Sequence, residues 1–435
     1  MPDQALLSQF FIKIDGEDAP RDLMNSLIEV TVEESIHLPD YFAIQLHDPE
    51  LHWVDAETLA EGKVIEISAS GREGSATETL ITGEITAVEP DFGSDAIPTL
   101  TVQGYDRSHR LHRGRQTRSF VQMTDSDIAE RIAQEEGLRA EVDATRQVHD
   151  YVFQNNESNM AFLYARAVRI GYELYVQDRT LHFCEAGDDD GPELDWGSNL
   201  RSFRPRLTTA RQESEVIVRG WDPKRKREIV GRVTQGEGGP EIGESRSGSE
   251  VASEAFQKDG TLLVADRPVA DQTEAEGLAQ ALFDELTSSF VKARGVASGD
   301  PRLRAGKMVT VQSVGDRFSG RYHITATTHS YRAEDYVTVF HVTGKHPRTL
   351  CHLVEGEEKA EIGAVVGIVT NNDDPEGMGR VKVKYPWLAE DEESAWARVA
   401  SFMAGKDRGA FFLPEVNDEV LLAFDHGNVH RPYVI

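Results

Sequence analysis

Four groups of residues have the types and spacings from which a chemical site could be built. His109 with His112, and His426 with His430, stand at separations that let two imidazoles share a metal ion. Neither pair has a third ligand close by in the sequence, so no metal is expected. The run Asn371-Asn372-Asp373-Asp374-Pro375-Glu376-Gly377 faintly resembles a calcium loop. Pro375 interrupts it and the downstream bidentate glutamate is missing, so it reads as a hairpin turn. Asp188-Asp189-Asp190-Gly191-Pro192 reads as a solvated acidic loop. Finally, Arg107, Arg110, Arg113, Arg115 and Arg118 crowd together with His109 and His112. In an acidic chain this run is expected to be a packing loop or to form salt bridges at a subunit interface, with a plain solvated loop and nucleic-acid contact as the rival readings.

No other catalytic pattern is evident. There is no Ser-His-Asp arrangement, zinc motif, P-loop or dinucleotide loop, so neither a catalytic residue nor a cofactor is expected. Cys184 and Cys351 are too far apart in sequence to form a metal or redox motif, and such sparse use of thiols fits a reducing compartment. Acidic residues number 75 against 46 basic ones, for a net charge of -29. A polyanion repels nucleic acid, which argues against that partner for the chain as a whole. The N-terminus lacks the basic and apolar regions of a secretory signal, and no stretch approaches the ~18 apolar residues of a membrane span. A cytoplasmic protein is expected, unless a machine carries it out.

The elements that would position these residues are mostly strands. Residues 1–120 alternate in short runs such as Leu27-Ile28-Glu29-Val30-Thr31-Val32, which points to a first β domain, a barrel or a sandwich. Residues 121–200 switch to helical spacing. Thr124 and Asp127 form an N-cap, a second helix starts near Ser158 and stops at Gly171, and a hairpin follows, giving a small α+β module. Residues 201–345 return to strands. They contain a Gly/Ser/Glu-rich stretch at 231–254 that reads as a mobile loop, and one helix with Thr273 and Glu276 as its capping box. Residues 346–361 read as a charged linker, and 362–435 as a final β domain.

An internal repeat links the first and third of these regions. Leu59-Ala60-Glu61-Gly62-Lys63-Val64-Ile65 resembles Leu303-Arg304-Ala305-Gly306-Lys307-Met308-Val309. Thr82-Gly83-Glu84-Ile85 then matches Ser319-Gly320-Arg321-Tyr322, and Leu100 to Gly104 matches Phe340 to Gly344, in the same order. Three ordered matches predict a duplicated β domain. A further echo, Val216 to Asp222 against Leu100 to Asp106, suggests a strand that crosses back to the first barrel.

The C-terminal segment is the most specific. Gly367-Ile368-Val369-Thr370-Asn371 leads through Asp374-Pro375-Glu376-Gly377-Met378-Gly379-Arg380-Val381-Lys382-Val383 to Pro386-Trp387. Glycines at 377 and 379 suit a tight hairpin, Arg380 to Lys384 alternates charge outward with valine inward, and Pro386 ends the pairing. With Trp396-Ala397-Arg398-Val399, Gly409 to Val416 and His426-Gly427-Asn428, this resembles the OB-fold of VgrG-type spike proteins and the related phage tail hubs. Asn417 stands where that family often has glycine, a change that a left-handed turn tolerates.

The resemblance spans nearly the whole chain and implies much more than spacing does. It implies an α+β, mainly β, protein with two tube-like barrels, a small α+β module and a C-terminal OB-fold. Asn371, Asp374, Pro375, Gly377, Gly379, Arg380, Pro386 and Trp387 would be its family motif. It implies a homotrimer whose two barrels per chain match a hexameric inner tube, with baseplate proteins and a spike-tip protein or effector cargo as further partners. A target membrane would be met only on firing, and the needle usual after the OB-fold is not in this sequence. A tail-lysozyme-type cell-wall hydrolase and an OB-fold carbohydrate- or nucleic-acid-binding protein are the alternatives.

Overall fold

A computed structural model describes residues 9–71, 76–93, 97–222, 224–239, 241–345, 363–386, 392–403 and 408–435. The expected linker at 346–361 therefore lies outside the described residues.

The first half comprises β1 (Gln9–Ile14), β2 (Glu17–Asp18), the short helix α1 (Arg21–Asn25), β3 (Leu27–Ser35), β4 (Tyr41–His47), β5 (Val64–Ser70), β6 (Thr77–Asp91) and β7 (Thr99–Asp106). Its strands pair antiparallel in the order β3-β4-β7-β6-β5-β1. Period-two alternation buries Val30 and Val32 on β3, Phe42 and Ile44 on β4, and Ile65 and Ile67 on β5. Branched and aromatic side chains favour this pleated, one-sided surface.

The small module follows with β8 (Gln116–Phe120), α2 (Asp125–Glu135), β9 (Arg139–Val142), β10 (Val152–Glu157), α3 (Asn159–Ile170), β11 (Glu173–Gln177) and β12 (Thr180–Cys184). Thr124 and Asp127 cap α2 reciprocally, as the sequence predicts. Ser158 caps α3, which ends on Gly171 at φ 77°. Ile128 and Ile132 of α2 and Phe162 and Leu163 of α3 share one core with Leu181 and Phe183 of β12.

The second half contains β13 (Glu193–Asp195), β14 (Leu200–Leu207), β15 (Glu215–Asp222), β16 (Arg227–Val233), β17 (Glu241–Ile242), α4 (Gly248–Phe256), β18 (Thr261–Val264), α5 (Gln272–Ser288), β19 (Val291–Ser298), β20 (Met308–Gln312), β21 (Gly320–His323), β22 (Ala326–Arg332) and β23 (Asp335–Val342). Three expectations need correction here. The stretch 231–254, expected to be a mobile loop, holds the end of β16, all of β17 and most of α4, which Ser247 and Glu250 cap reciprocally. Its glycines serve close packing: a Cβ at Gly231 would stand 2.2 Å from the Ala275 carbonyl oxygen, and one at Gly236 would stand 2.3 Å from the Thr287 hydroxyl. Helix α5 starts earlier than Thr273, because Asp271 accepts from the Glu274 N–H at 2.9 Å. Strand β15 does not cross back to the first half; it pairs with β16 and β18 in a separate three-stranded sheet. Val216, Val218 and Ile229 of that sheet pack with Leu278 and Phe283 of α5 in a core of their own.

Backbone geometry locates the repeat. Gly62 and Gly306 sit at φ 87° and 82°. Gly62 N–H donates to the Ile85 carbonyl at 2.8 Å and Ile85 N–H returns to Lys63 at 2.9 Å. Gly306 N–H donates to Ile324 at 2.9 Å and Ile324 N–H returns to Lys307 at 2.9 Å. The register differs from the sequence alignment further on. Gly83 lies opposite Ile65, and the residue in that place in the second half is Tyr322, opposite Val309, not Gly320. A slip of two residues keeps every side chain on its face, so alternation alone could not fix it.

The halves are fused through β22, which pairs antiparallel with β3 from Ala326↔Ser35 to Arg332↔Glu29. The result is an 11-stranded sheet ordered β14-β19-β23-β22-β3-β4-β7-β6-β5-β1-β2. Beside this seam the buried Arg304 ion-pairs with the buried Glu34 and donates to the carbonyls of Thr79 (2.6 Å) and Leu80 (2.8 Å). Glu34 also accepts from the Thr327 hydroxyl at 2.7 Å.

The last domain has β24 (Val365–Asn371), β25 (Lys382–Lys384), β26 (Arg398–Val399), β27 (Glu419–Asp425) and β28 (Asn428–Val434), in the order β25-β24-β27-β28-β26. Among the described residues no helix is long and apolar enough to cross a membrane.

Candidate functional site

The hairpin between β24 and β25 is organised by one carboxylate. Asp374 accepts from the backbone N–H groups of Glu376 (3.1 Å), Met378 (2.9 Å) and Arg380 (3.2 Å). The Arg380 guanidinium adds two more bonds, at 3.0 and 2.7 Å. This bidentate pairing, with the backbone donors, holds the Asp374 carboxyl well below the usual carboxylate range. Asn371 accepts from Asp373 N–H at 2.8 Å, and Gly377 and Gly379 take φ 65° and 68°. Pro375 begins the turn, and Pro386 follows β25 on the surface. Trp387 lies outside the described residues.

One expectation about this hairpin is corrected. Val381 and Val383 are fully buried, but Arg380 does not point outward. It is buried because it closes the turn on Asp374. The hairpin tip then reaches the connection between β15 and β16, where Lys224 meets Glu376 at 2.7 Å.

The arginine run is largely consumed inside the chain. Buried Glu84 receives a bidentate pair from Arg110 (2.9 and 2.7 Å), with His109 at 3.1 Å and Arg107 at 3.3 Å. Burial works against the charge of Glu84, but His109 and Arg110 outweigh it and hold the carboxyl low. Arg118 pairs with Glu135, bonds Gln154 (2.9 Å) and Asn159 (3.0 Å), and lies over the Phe120 ring. Arg115 donates to the Asn156 carbonyl at 3.3 Å. The run therefore pins the first half to the small module. Of its five arginines, Arg110, Arg113 and Arg115 are exposed.

The histidine pairs are also occupied separately. His430 Nδ1 accepts from Phe153 N–H at 2.9 Å, joining the small module to the last domain, whereas His426 lies near Asp425 at 3.8 Å. Among the described residues no group of three or more potential ligands is arranged to hold a metal ion.

Sequence reasoning missed an exposed aromatic face on the last domain. Phe402 is 82% exposed and Phe412 76%, with Met403 and Phe411 beside them in sequence. Ala410 N–H donates to the Phe402 carbonyl at 3.2 Å. Phe411 lies over the hairpin, where a Cβ on Gly379 would stand 2.5 Å from its ring. The available signal was a set of phenylalanines without strand alternation, next to glycine. Large apolar side chains clustered on a surface mark an interaction site.

Comparison with known proteins fits this architecture. The family model described as the Alg8 N-terminal domain matches residues 4–333. The model for the type VI secretion system/phage-baseplate injector OB domain matches residues 365–435. The chain belongs to the Alg8 N-terminal domain family, and it resembles the VgrG-type spike proteins.

Two curated spike proteins match parts of the chain in sequence. The type VI secretion system spike protein VgrG3 of Vibrio cholerae is 35% identical over 63 residues, 14% of this chain. VgrG1a of Pseudomonas aeruginosa is 33% identical over 92 residues, 20% of this chain. The matched stretches span only 6% and 14% of those relatives' own lengths. Among solved structures, a type VI secretion component of E. coli, described as similar to the T4 tail proteins gp27 and gp5, superposes with a TM-score of 0.60 at 16% identity. That match covers 97% of this chain and 98% of the other. A 43 kDa prophage tail protein of Shewanella oneidensis gives 0.60 at 15% identity, covering 77% of this chain and 98% of its own. At these identities the structures speak for the fold.

Proposed function

We propose that this chain is the hub-and-spike subunit of a contractile, phage-tail-like injection machine. The carrying observation is the fusion of two similar β halves in one polypeptide through β22 and β3. Three such chains would present six related units to a six-fold inner tube while keeping a three-fold spike on the other side. Its work would be mechanical: a stiff trimer transmits the force of sheath contraction, and no bond is made or broken. Baseplate proteins would grip the rim, and a tip protein or effector cargo would be carried at the spike. A chain of the Francisella PdpA-VgrG complex shares the fold with a TM-score of 0.57 at 10% identity, over 99% of this chain and 78% of its own. The protein would assemble in the cytoplasm and then leave as part of a particle, meeting a membrane only on firing.

The exposed aromatic face would be a surface for the trimer. Burying phenylalanines such as Phe402 and Phe412 between copies would contribute roughly 1.5–3 kcal/mol each. Light scattering tests this directly. A mass of about 145 kDa, three times the 48.4 kDa chain, is expected, falling toward the monomer in a Phe402→Ser/Phe412→Ser variant. A clean monomer for the unaltered chain would sink the trimer as a property of this polypeptide.

A further inference from the structure

We propose that the cleft between the β15–β16 hairpin and the last domain is a docking site for an acidic peptide segment of a partner protein. The cleft encloses about 850 Å³, within the range of built ligand sites. One wall carries Arg219, Trp221 and Arg225, and the other Trp396, Arg398 and Arg431. Six Arg and Lys side chains line it against four Asp, in a chain whose net charge is -29. The cleft thus reverses the sign of the molecule.

Most of these cations already have partners. Arg380 is held by Asp374 and Lys224 by Glu376, while Arg431 and Arg225 stand 3.7 and 3.9 Å from Asp425 and Asp222. Arg219 and Arg398, one from each wall, are exposed and have no carboxylate partner among the described residues. The Arg398 guanidinium lies 5.9 Å from the centre of the Tyr433 ring, an arrangement that leaves its N–H edge free for a carboxylate. Trp221 is 56% exposed at the mouth. Opposite it, Trp396 is held by Arg380 and Lys382 at 5.8 and 5.7 Å.

The mixed charge selects the class of ligand. A polyphosphate or nucleic-acid backbone would bring anions everywhere and meet the cleft's own carboxylates, including Asp222 and Asp425. A peptide brings carboxylates for Arg219 and Arg398 and N–H donors for those acids. An apolar side chain between the tryptophans would complete the fit. This site is independent of the trimer proposed above, since a monomer could bind as well.

Calorimetric titration of the full chain with a short, blocked peptide alternating aspartate and phenylalanine is the test. Binding is expected, weakened at least about tenfold when asparagine replaces aspartate. Arg219→Glu and Arg398→Glu should each cost a similar factor, and Trp221→Ala should also weaken binding. All three positions are exposed or on a hairpin edge, and unchanged melting would show that the fold is kept. Equal binding of the asparagine peptide overturns the proposal, as does no binding at millimolar peptide or indifference to both charge reversals. Preference for a heparin fragment at the same residues would also overturn it. A change in native mass on charge reversal would assign the cleft to a second copy, against the proposal.

Discussion

The two β halves share a turn and differ in the connections between their strands. In the first, β3 passes to β4 through a short connection, residues 36–40; in the second, the corresponding β14 and β19 are separated by residues 208–290, which fold as a sheet capped by α5. The long β6 of the first half is bulged between Ile85 and Ala87, and its counterpart is broken into β21 and β22. β5 is flanked by β1 antiparallel, whereas β20 is flanked by β13 parallel. What persists is the Gly-Lys turn and the strands beside it. What changes is the edge and the insert, the parts free to meet different neighbours. In a proposed ring of six units the halves would alternate, so equivalence toward a tube and inequivalence toward a rim could coexist.

The seam between the halves should give the largest effect. Arg304→Met leaves Glu34 buried with the Thr327 hydroxyl but without its cation. Removing one partner of a buried pair costs about 3–5 kcal/mol, so a large drop in the denaturant midpoint is expected. Adding Glu34→Gln should recover part of the loss, because the uncompensated charge goes. A midpoint within error of the unaltered protein would show that the halves hold together by strand pairing alone.

A buried acid distinguishes the first half. Asp106, at the end of β7, accepts from the Ser108 hydroxyl at 2.5 Å, while its other carboxyl oxygen is buried with no hydrogen-bond partner among the described residues. Burial pushes its pKa up to about 7. The folded state thus binds a proton that the unfolded state, with a pKa of about 3.9, has released. Its contribution is full below pH ~4 and is lost as the pH rises through ~7, amounting to a few kcal/mol. Asp106→Asn should flatten this part of the stability–pH curve. An unchanged slope in the variant would assign the effect to other groups.

Each half also has an aromatic ring lying on a glycine of the neighbouring strand. Phe42 faces Gly104, and Phe340 faces Gly295. A Cβ at Gly104 would stand 2.1 Å from the Glu84 carbonyl oxygen, and one at Gly295 2.1 Å from the Phe340 ring. Gly104→Ala and Gly295→Ala should therefore each cost about 1–3 kcal/mol by overpacking. The flexible ring gives way more readily than a backbone carbonyl, so Gly104→Ala should be the worse of the two in thermal unfolding.

How much of this was legible in the sequence depended on whether an element is built by local rules. The α2 cap at Thr124, the Gly171 stop and the burial of Val381 and Val383 follow from spacing, and the structure has them. The repeat was visible through Gly62 and Gly306, whose left-handed backbone demands glycine in both halves. Its register was not, because a two-residue slip leaves alternation intact. The partner of β15 was invisible for the same reason: a short apolar strand says nothing about which sheet receives it. Arg380 and Glu84 were misread or overlooked because charged residues normally sit outside, and only a partner distant in space reverses that. The cleft drew its walls from strands that are remote in sequence, so no local window contained it.

The smallest expected effect is also the most direct check on the duplication. Gly62 has no atom within 4 Å of a built Cβ, and Gly306 has none nearer than 3.7 Å. Neither position is crowded, so alanine at either one pays only for holding an L-residue in left-handed backbone, about 1–2 kcal/mol. Gly62→Ala and Gly306→Ala should therefore lower stability by the same amount, and the double variant should be additive because the turns share no partner. A clear inequality between the single variants would mean that one turn is strained by something its twin lacks, and that the two halves are alike in path but not in energetics.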